Sequence, residues 1–194
     1  AALKELVREG QDFEENGEQK QAIKIYAGIE NRFAQSESAP VIMELSGVME
    51  AMALLYGESE EWEEAICVYD RTIKYLERSD VYGMKETLAS VLHGRAKACK
   101  SAGKIDEAAD GWRMVLDRFM DEGTCVGILV SSAQELVEIY KEKKFMQQAE
   151  EILERVIDRW SSTKEGRKNE ELSYLFVDLG ILYEDEGRYD EALE

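Results

Sequence analysis

A short frame recurs five times along this chain and limits what it can fold into. Alanines at Ala22, Ala65, Ala108, Ala149 and Ala192 each have Phe13, Tyr56, Cys99, Tyr140 or Tyr183 nine positions earlier. Twelve positions earlier stand Gly10, Ala53, Ala96, Val137 and Gly180. Successive alanines are 43, 43, 41 and 43 residues apart. Self-similarity at a fixed period marks a stacked array, because each unit buries its apolar face only against its neighbours. Length alone would suggest one or two domains. The repeat instead makes residues 1–194 a single array, with units at about 3–34, 41–78, 84–120, 125–160 and 169–194, the last cut short.

Each unit reads as a helical hairpin, so the expected class is all-α. A single proline and abundant Glu, Ala, Leu and Lys favour helix, and no useful stretch alternates as a strand would. In the second unit Met49, Met52, Ala53 and Tyr56 follow the spacing of one helix face. Gly57-Glu58-Ser59 then breaks the pattern, and a second helix runs from Trp62 through Ala65, Tyr69 and Ile73 to Leu76. The third unit repeats this with Leu92, Ala96 and Cys99, a turn at Ala102-Gly103, then Ile105, Ala108, Trp112 and Leu116. The fourth has Ala133, Leu136, Val137 and Tyr140, then Met146, Ala149, Leu153 and Ile157, but its turn at residues 141–144 lacks glycine. Gly10, Ala53, Ala96 and Gly180 are expected to face Ala22, Ala65, Ala108 and Ala192 where the paired helices approach. Linkers are expected at residues 35–40, 79–83, 121–124 and 161–167, with Ser38 and Pro40 starting the next helix.

This frame resembles the tetratricopeptide repeat, whose pattern is W-x2-L-G-x2-Y, then G-x-Y-x2-A. The last unit carries it most fully, in Phe176, Leu179, Gly180, Tyr183, Gly187, Tyr189 and Ala192. The resemblance covers essentially the whole chain and implies a right-handed superhelical solenoid of about five hairpins. The period is longer than the usual repeat and the closing proline is missing, as in the long-repeat branch that includes kinesin light chains. HEAT and armadillo arrays share the period but lack the Gly/Ala, Tyr, Ala frame.

With 42 acids against 24 bases, the formal charge is -18. That balance argues against nonspecific binding to nucleic acid or an anionic membrane, which needs clustered Lys and Arg. The charge is uneven: residues 44–86 hold 11 acids and 4 bases, residues 171–194 hold 8 and 1, and residues 87–127 balance at 6 each. Solvated helix faces account for such runs, and selection of a cationic partner is the other reading. Cys67, Cys99 and Cys125 form an odd set without CxxC spacing. They fit free thiols in a reducing intracellular compartment, cytoplasmic by preference. No apolar run approaches the ~20 residues of a membrane span, and no signal or transit peptide is visible. The chain opens without Met and stops inside a helix, so it reads as a fragment whose targeting segments, an organellar one included, could lie outside it.

Catalytic and metal-binding constellations are not found. One histidine, His93, leaves triads and multi-His metal sites without further members. Cys99 takes the aromatic position of the frame and reads as core packing. The segment 123–127, GTCVG, is neither a P-loop nor a dinucleotide fingerprint. Glu60-Glu61 and Glu63-Glu64 sit where a helix dipole favours carboxylates. The expectation is a non-catalytic protein without a cofactor or metal.

Function is expected on a stripe of the first helices. If positions 4, 7, 8 and 11 of each face inward, positions 2, 5, 9 and 12 share another face. The family resemblance implies that this stripe lines a concave groove that holds a peptide or helix of a partner protein. It reads Lys4, Val7, Gln11 and Glu14; then Gly47, Glu50, Leu54 and Gly57; then Ser90, His93, Lys97 and Lys100. The last two units give Ser131, Gln134, Glu138 and Lys141, then Tyr174, Val177, Ile181 and Glu184. His93, Lys97, Lys100 and Lys141 form a basic centre, while Leu54, Tyr174, Val177 and Ile181 are apolar. The bland alternatives are a solvated face for the lysines and packing against a missing repeat for the apolar group. Family members that grip chaperone tails use Lys and Asn, then Asn, then Lys and Arg, where this chain has Val7 and Gln11, Leu54, and His93 and Lys97. Binding of Hsp70 or Hsp90 C-terminal tails is therefore not expected. The expected role is a scaffold or adaptor, with self-association through the exposed apolar end as the alternative.

Overall fold

The structure, a computed structural model, describes residues 2–79 and 83–193. Residues 80–82 of the expected 79–83 linker and the terminal residues 1 and 194 lie outside the described residues. Among the described residues every regular element is helical: α1 (Ala2–Glu15), α2 (Gln19–Phe33), α3 (Ala39–Glu58), α4 (Trp62–Ser79), α5 (Lys85–Ser101), α6 (Ile105–Phe119), α7 (Val126–Glu142), α8 (Met146–Trp160), α9 (Lys164–Arg167) and α10 (Leu172–Asp185). The chain divides into two compact units, one running to Lys104 and the other starting at Ile105. In the first, α1 packs on α2, α2 on α3, α3 on α4 and α4 on α5. In the second, α6 packs on α7, α7 on α8 and α8 on α10. Sequential packing of this kind is how a repeat array buries apolar area.

One turn geometry explains the frame. Gly17, Glu60, Gly103, Lys144 and Gly187 all take positive φ, at 76°, 59°, 77°, 60° and 75°. The residue after each donates its N–H to the carbonyl five residues back, at Phe13, Tyr56, Cys99, Tyr140 or Tyr183, in every case at 2.8 Å. This is a Schellman closure, with the left-handed residue at the first position past the helix. The carbonyls of Glu18, Glu61, Phe145 and Arg188 then accept from the N–H groups of Ala22, Ala65, Ala149 and Ala192. The nine-residue spacing between aromatic and alanine is therefore a five-residue span followed by a four-residue one.

The same geometry places two of the expected turns. α3 ends at Glu58, within the expected Gly57-Glu58-Ser59 break, and the left-handed reversal falls just beyond it on Glu60. The glycine-free turn at residues 141–144 closes like the others, with Lys144 in the left-handed region.

The landmark alanines are core residues: Ala22, Ala96, Ala108 and Ala149 are fully buried, and Ala53 and Ala65 almost so. The need for a small residue at Gly10, however, comes from Tyr26, one turn beyond Ala22. A Cβ on Gly10 would lie 2.2 Å from Cε1 of the Tyr26 ring. In the last unit, a Cβ on Gly180 would meet only the Ala192 carbonyl oxygen, at 3.9 Å, an ordinary contact that does not require glycine. At the ends of three second helices, Phe33, Phe119 and Trp160 each lie against the guanidinium of the arginine before them. The Arg118 guanidinium stands 5.6 Å from the Phe119 ring centroid and that of Arg159 4.4 Å from Trp160.

Linkers hold more structure than expected. Residues 123–125 form a 3-10 turn, and the 161–167 stretch contains α9. Thr163 starts α9 by accepting the Gly166 N–H on Oγ1 at 3.0 Å. Gly166 is obligatory there, because a Cβ would meet the Trp160 carbonyl oxygen at 2.0 Å. Ser38 and Pro40 begin α3 as expected.

Contrary to the expectation that no run approaches a membrane span, α3 has 20 residues and an 18-residue window of mean hydropathy 1.4, long and apolar enough to cross a membrane. It is a core helix here: Ile42, Leu45, Val48, Met49, Met52 and Leu55 are buried.

Candidate partner-binding face

The stripe is exposed along most of its length, because the 3, 4, 3 spacing places it away from the buried positions of each first helix. Leu54 on α3 is 57% exposed. On α10, Tyr174 and Val177 are each 58% exposed and Ile181 42%. Lys97 and Glu138 are exposed, while Glu50, His93, Lys100, Gln134 and Lys141 are half-buried. Val7 departs from the pattern: it is buried, so the stripe does not reach solvent at that position of α1.

The stripe is tied together by contacts one unit apart. Ser90 Oγ donates to the Glu50 carboxylate at 3.0 Å, and Gln134 Nε2 to Asp178 at 3.4 Å. Of the expected basic centre, His93, Lys97 and Lys100 are brought together on one helix, α5, whereas Lys141 belongs to α7 of the other compact unit.

Two cavities sit on the stripe of the first compact unit, each lined by a tyrosine from a second helix. A cavity of about 410 Å³ lies among α3, α4 and α5. Tyr69 and Trp62 of α4 line it with Leu54, Gly57, Gly94 and Ala98, and Lys97 lies at its edge. Tyr69 reaches this place because α5 has no side chain at Gly94, where a Cβ would fall 2.8 Å from its hydroxyl oxygen. Burial, then the neighbouring Glu50 carboxylate, pushes the Tyr69 phenol up to about 12. The equivalent residue one unit earlier, Tyr26, lines a second cavity of about 410 Å³ with Val7, Gln11, Met43 and Gly47. Its hydroxyl donates to Glu14 at 2.8 Å.

Stripe logic misses the floor of these cavities, since Tyr69 and Tyr26 lie on second helices. The available signal is a tyrosine four past the frame alanine in both units, together with a mid-helix glycine at Gly94. Also outside the stripe, Phe176, which lines a cavity with Val177 and Ile181, is 50% exposed, and Tyr189 is 66% exposed. None of the three cysteines is in a disulfide; Cys99 and Cys125 are buried and Cys67 is exposed.

Residues 129–194 match the family model of the tetratricopeptide repeat. The crystal structure of BtubC (BKLC) from P. vanneervenii superposes with a TM-score of 0.70 at 19% identity, covering 98% of this chain and 75% of that one. TPR-like repeats from Podosopora anserina, described as those of a kinesin light chain, give 0.65 at 17% identity, covering 99% and 90%. The apo form of RapI gives 0.71 at 14% identity, covering 100% and 67%. At these identities the likeness is one of fold. No curated protein matches the sequence.

Proposed function

We infer that this array of tetratricopeptide-type repeats, a class of scaffold that binds other proteins, holds a peptide or helical segment of its partner against the stripe of the first helices. The observation that carries the reading is Leu54, exposed beside an apolar cavity of about 410 Å³ whose floor is Tyr69. A cavity of that size suits one large side chain as an anchor, and such buried anchors dominate interface energies. Lys97 at the cavity edge, with Lys100 one turn on, supplies positive charge for a partner carboxylate in an otherwise acidic chain. The array acts by presenting surface rather than by transforming a substrate. Cys67, Cys99 and Cys125, none of them in a disulfide, support a reducing compartment such as the cytoplasm.

The test is capture of a partner by the wild-type chain, followed by titration calorimetry at two salt concentrations. Leu54→Asp is expected to abolish measurable binding, and Lys97→Glu to weaken it most at low salt. Full affinity in both variants would place the partner elsewhere.

A further inference from the structure

Tyr26 and Tyr69 hold equivalent places four residues past a frame alanine, yet their hydroxyls end differently. The Tyr26 hydroxyl donates to the Glu14 carboxylate at 2.8 Å. Gly57 stands 43 residues after Glu14, as Tyr69 does after Tyr26, so the second tyrosine lacks that acceptor. Tyr69 is 4% exposed, and its hydroxyl makes no hydrogen bond among the described residues. The oxygen lies against Gly94, on the wall of the cavity of about 410 Å³ among α3, α4 and α5. We propose that this cavity takes a glutamate side chain of the partner segment, whose carboxylate accepts from the Tyr69 hydroxyl as Glu14 does from Tyr26. The proposal rests on the reading of the stripe as a partner-binding face and names the side chain it selects.

The chain's own carboxylates are engaged elsewhere. Glu50 accepts from Ser90 Oγ at 3.0 Å, and Glu58, on the cavity wall, accepts from Gln19 Nε2 at 2.7 Å. Gly57 faces Trp62: a Cβ there would lie 3.0 Å from Cζ3 of the indole, so any side chain at 57 presses on the ring. Charge also favours a visiting carboxylate. The Tyr26 hydroxyl keeps Glu14 although Glu15 and Glu58 line the same cavity. One period on, Lys97 and Ser101 stand at the positions of Leu54 and Glu58. Lys97 borders the Tyr69 cavity and makes no ion pair among the described residues. A wholly apolar side chain would leave the buried phenol without an acceptor, and a lysine would set one cation against another. Glutamate supplies an acceptor, a charge opposite to Lys97, and methylenes to pack on Leu54 and Ala98.

The probes are blocked alanine pentapeptides with Glu, Gln, Leu or Lys at the centre, titrated into the whole chain carrying carbon-labelled tyrosine and leucine. NMR reads the Tyr69 ring and the Leu54 methyls, and circular dichroism confirms that each variant is folded. The glutamate peptide is expected to shift both signals saturably and to bind roughly tenfold more tightly than the leucine peptide. Tyr69→Phe, read at Leu54, should remove that preference, and Lys97→Glu should weaken the glutamate peptide several-fold. No shift with the glutamate peptide, or a preference that survives Tyr69→Phe, would overturn the proposal. Tighter binding of the glutamine peptide would overturn it in favour of a neutral acceptor. A captured partner lost on Leu54→Asp but held in full by Tyr69→Phe would overturn it while leaving the scaffold reading in place.

Discussion

The Phe145 N–H donates to the Tyr140 carbonyl at 2.8 Å, across a turn whose left-handed residue is Lys144 rather than glycine. Three of the five equivalent turns use glycine at that position, and Glu60 and Lys144 do not. A side chain in this region costs roughly 1–2 kcal/mol, which glycine avoids.

Lys144→Gly is therefore expected to stabilise the protein by about 1 kcal/mol, and Gly103→Ala to destabilise it by a similar amount. Urea denaturation midpoints measure both. A drop in the midpoint on Lys144→Gly would show that its side chain outweighs the backbone strain.

Gly10→Ala should cost about 1–3 kcal/mol, because the added methyl lies 2.2 Å from a carbon of the buried Tyr26 ring. Combining it with Tyr26→Leu should cost less than the two single changes added together, as expected for residues in contact. Ala108→Leu, at a fully buried position, is expected to cost the same ~1–3 kcal/mol. Additive costs for Gly10→Ala and Tyr26→Leu would place the ring elsewhere.

Trp160 is 2% exposed, and its indole N–H has no hydrogen-bond partner among the described residues. Trp160→Ala should cost about 3–5 kcal/mol through the cavity it leaves. Trp160→Phe should cost much less, since it removes an unsatisfied donor while keeping an aromatic ring under Arg159. Thermal melts of the two variants give the comparison, and equal losses would mean that the indole N–H is satisfied in solution.

Tyr69 supplies a pH dependence with a definite sign. Its phenol rises from the ordinary 10.0 to about 12 in the folded chain, chiefly through burial. The contribution is present in full below about pH 10, where the residue is neutral whether folded or unfolded. It is lost as pH climbs from 10 to 12, because only the unfolded chain ionises there. Carbon NMR of labelled tyrosine should show Tyr69 titrating near pH 12, and Tyr69→Phe should flatten the alkaline loss of stability. Titration of Tyr69 near pH 10 would show that water reaches the cavity floor.

The hairpin register was legible in the sequence because it rests on short-range backbone geometry. A helix closure spanning five residues and a helix start spanning four leave aromatic and alanine nine apart, whatever packs around them. The solvent-facing stripe followed from the same periodicity, and Leu54, Val177 and Ile181 are exposed as it requires. Glu60 and Lys144 escaped a reading keyed to glycine, since the closing hydrogen bonds tolerate a strained side chain. Val7 is buried despite its stripe position. Tyr69 reaches the stripe from a second helix, through the gap at Gly94. Local hydrogen bonding set the units and their length, and packing between helices from different units decided where the cavities lie. A tyrosine ring and the glycine that admits it are 25 residues apart in the chain and meet only once those helices are stacked.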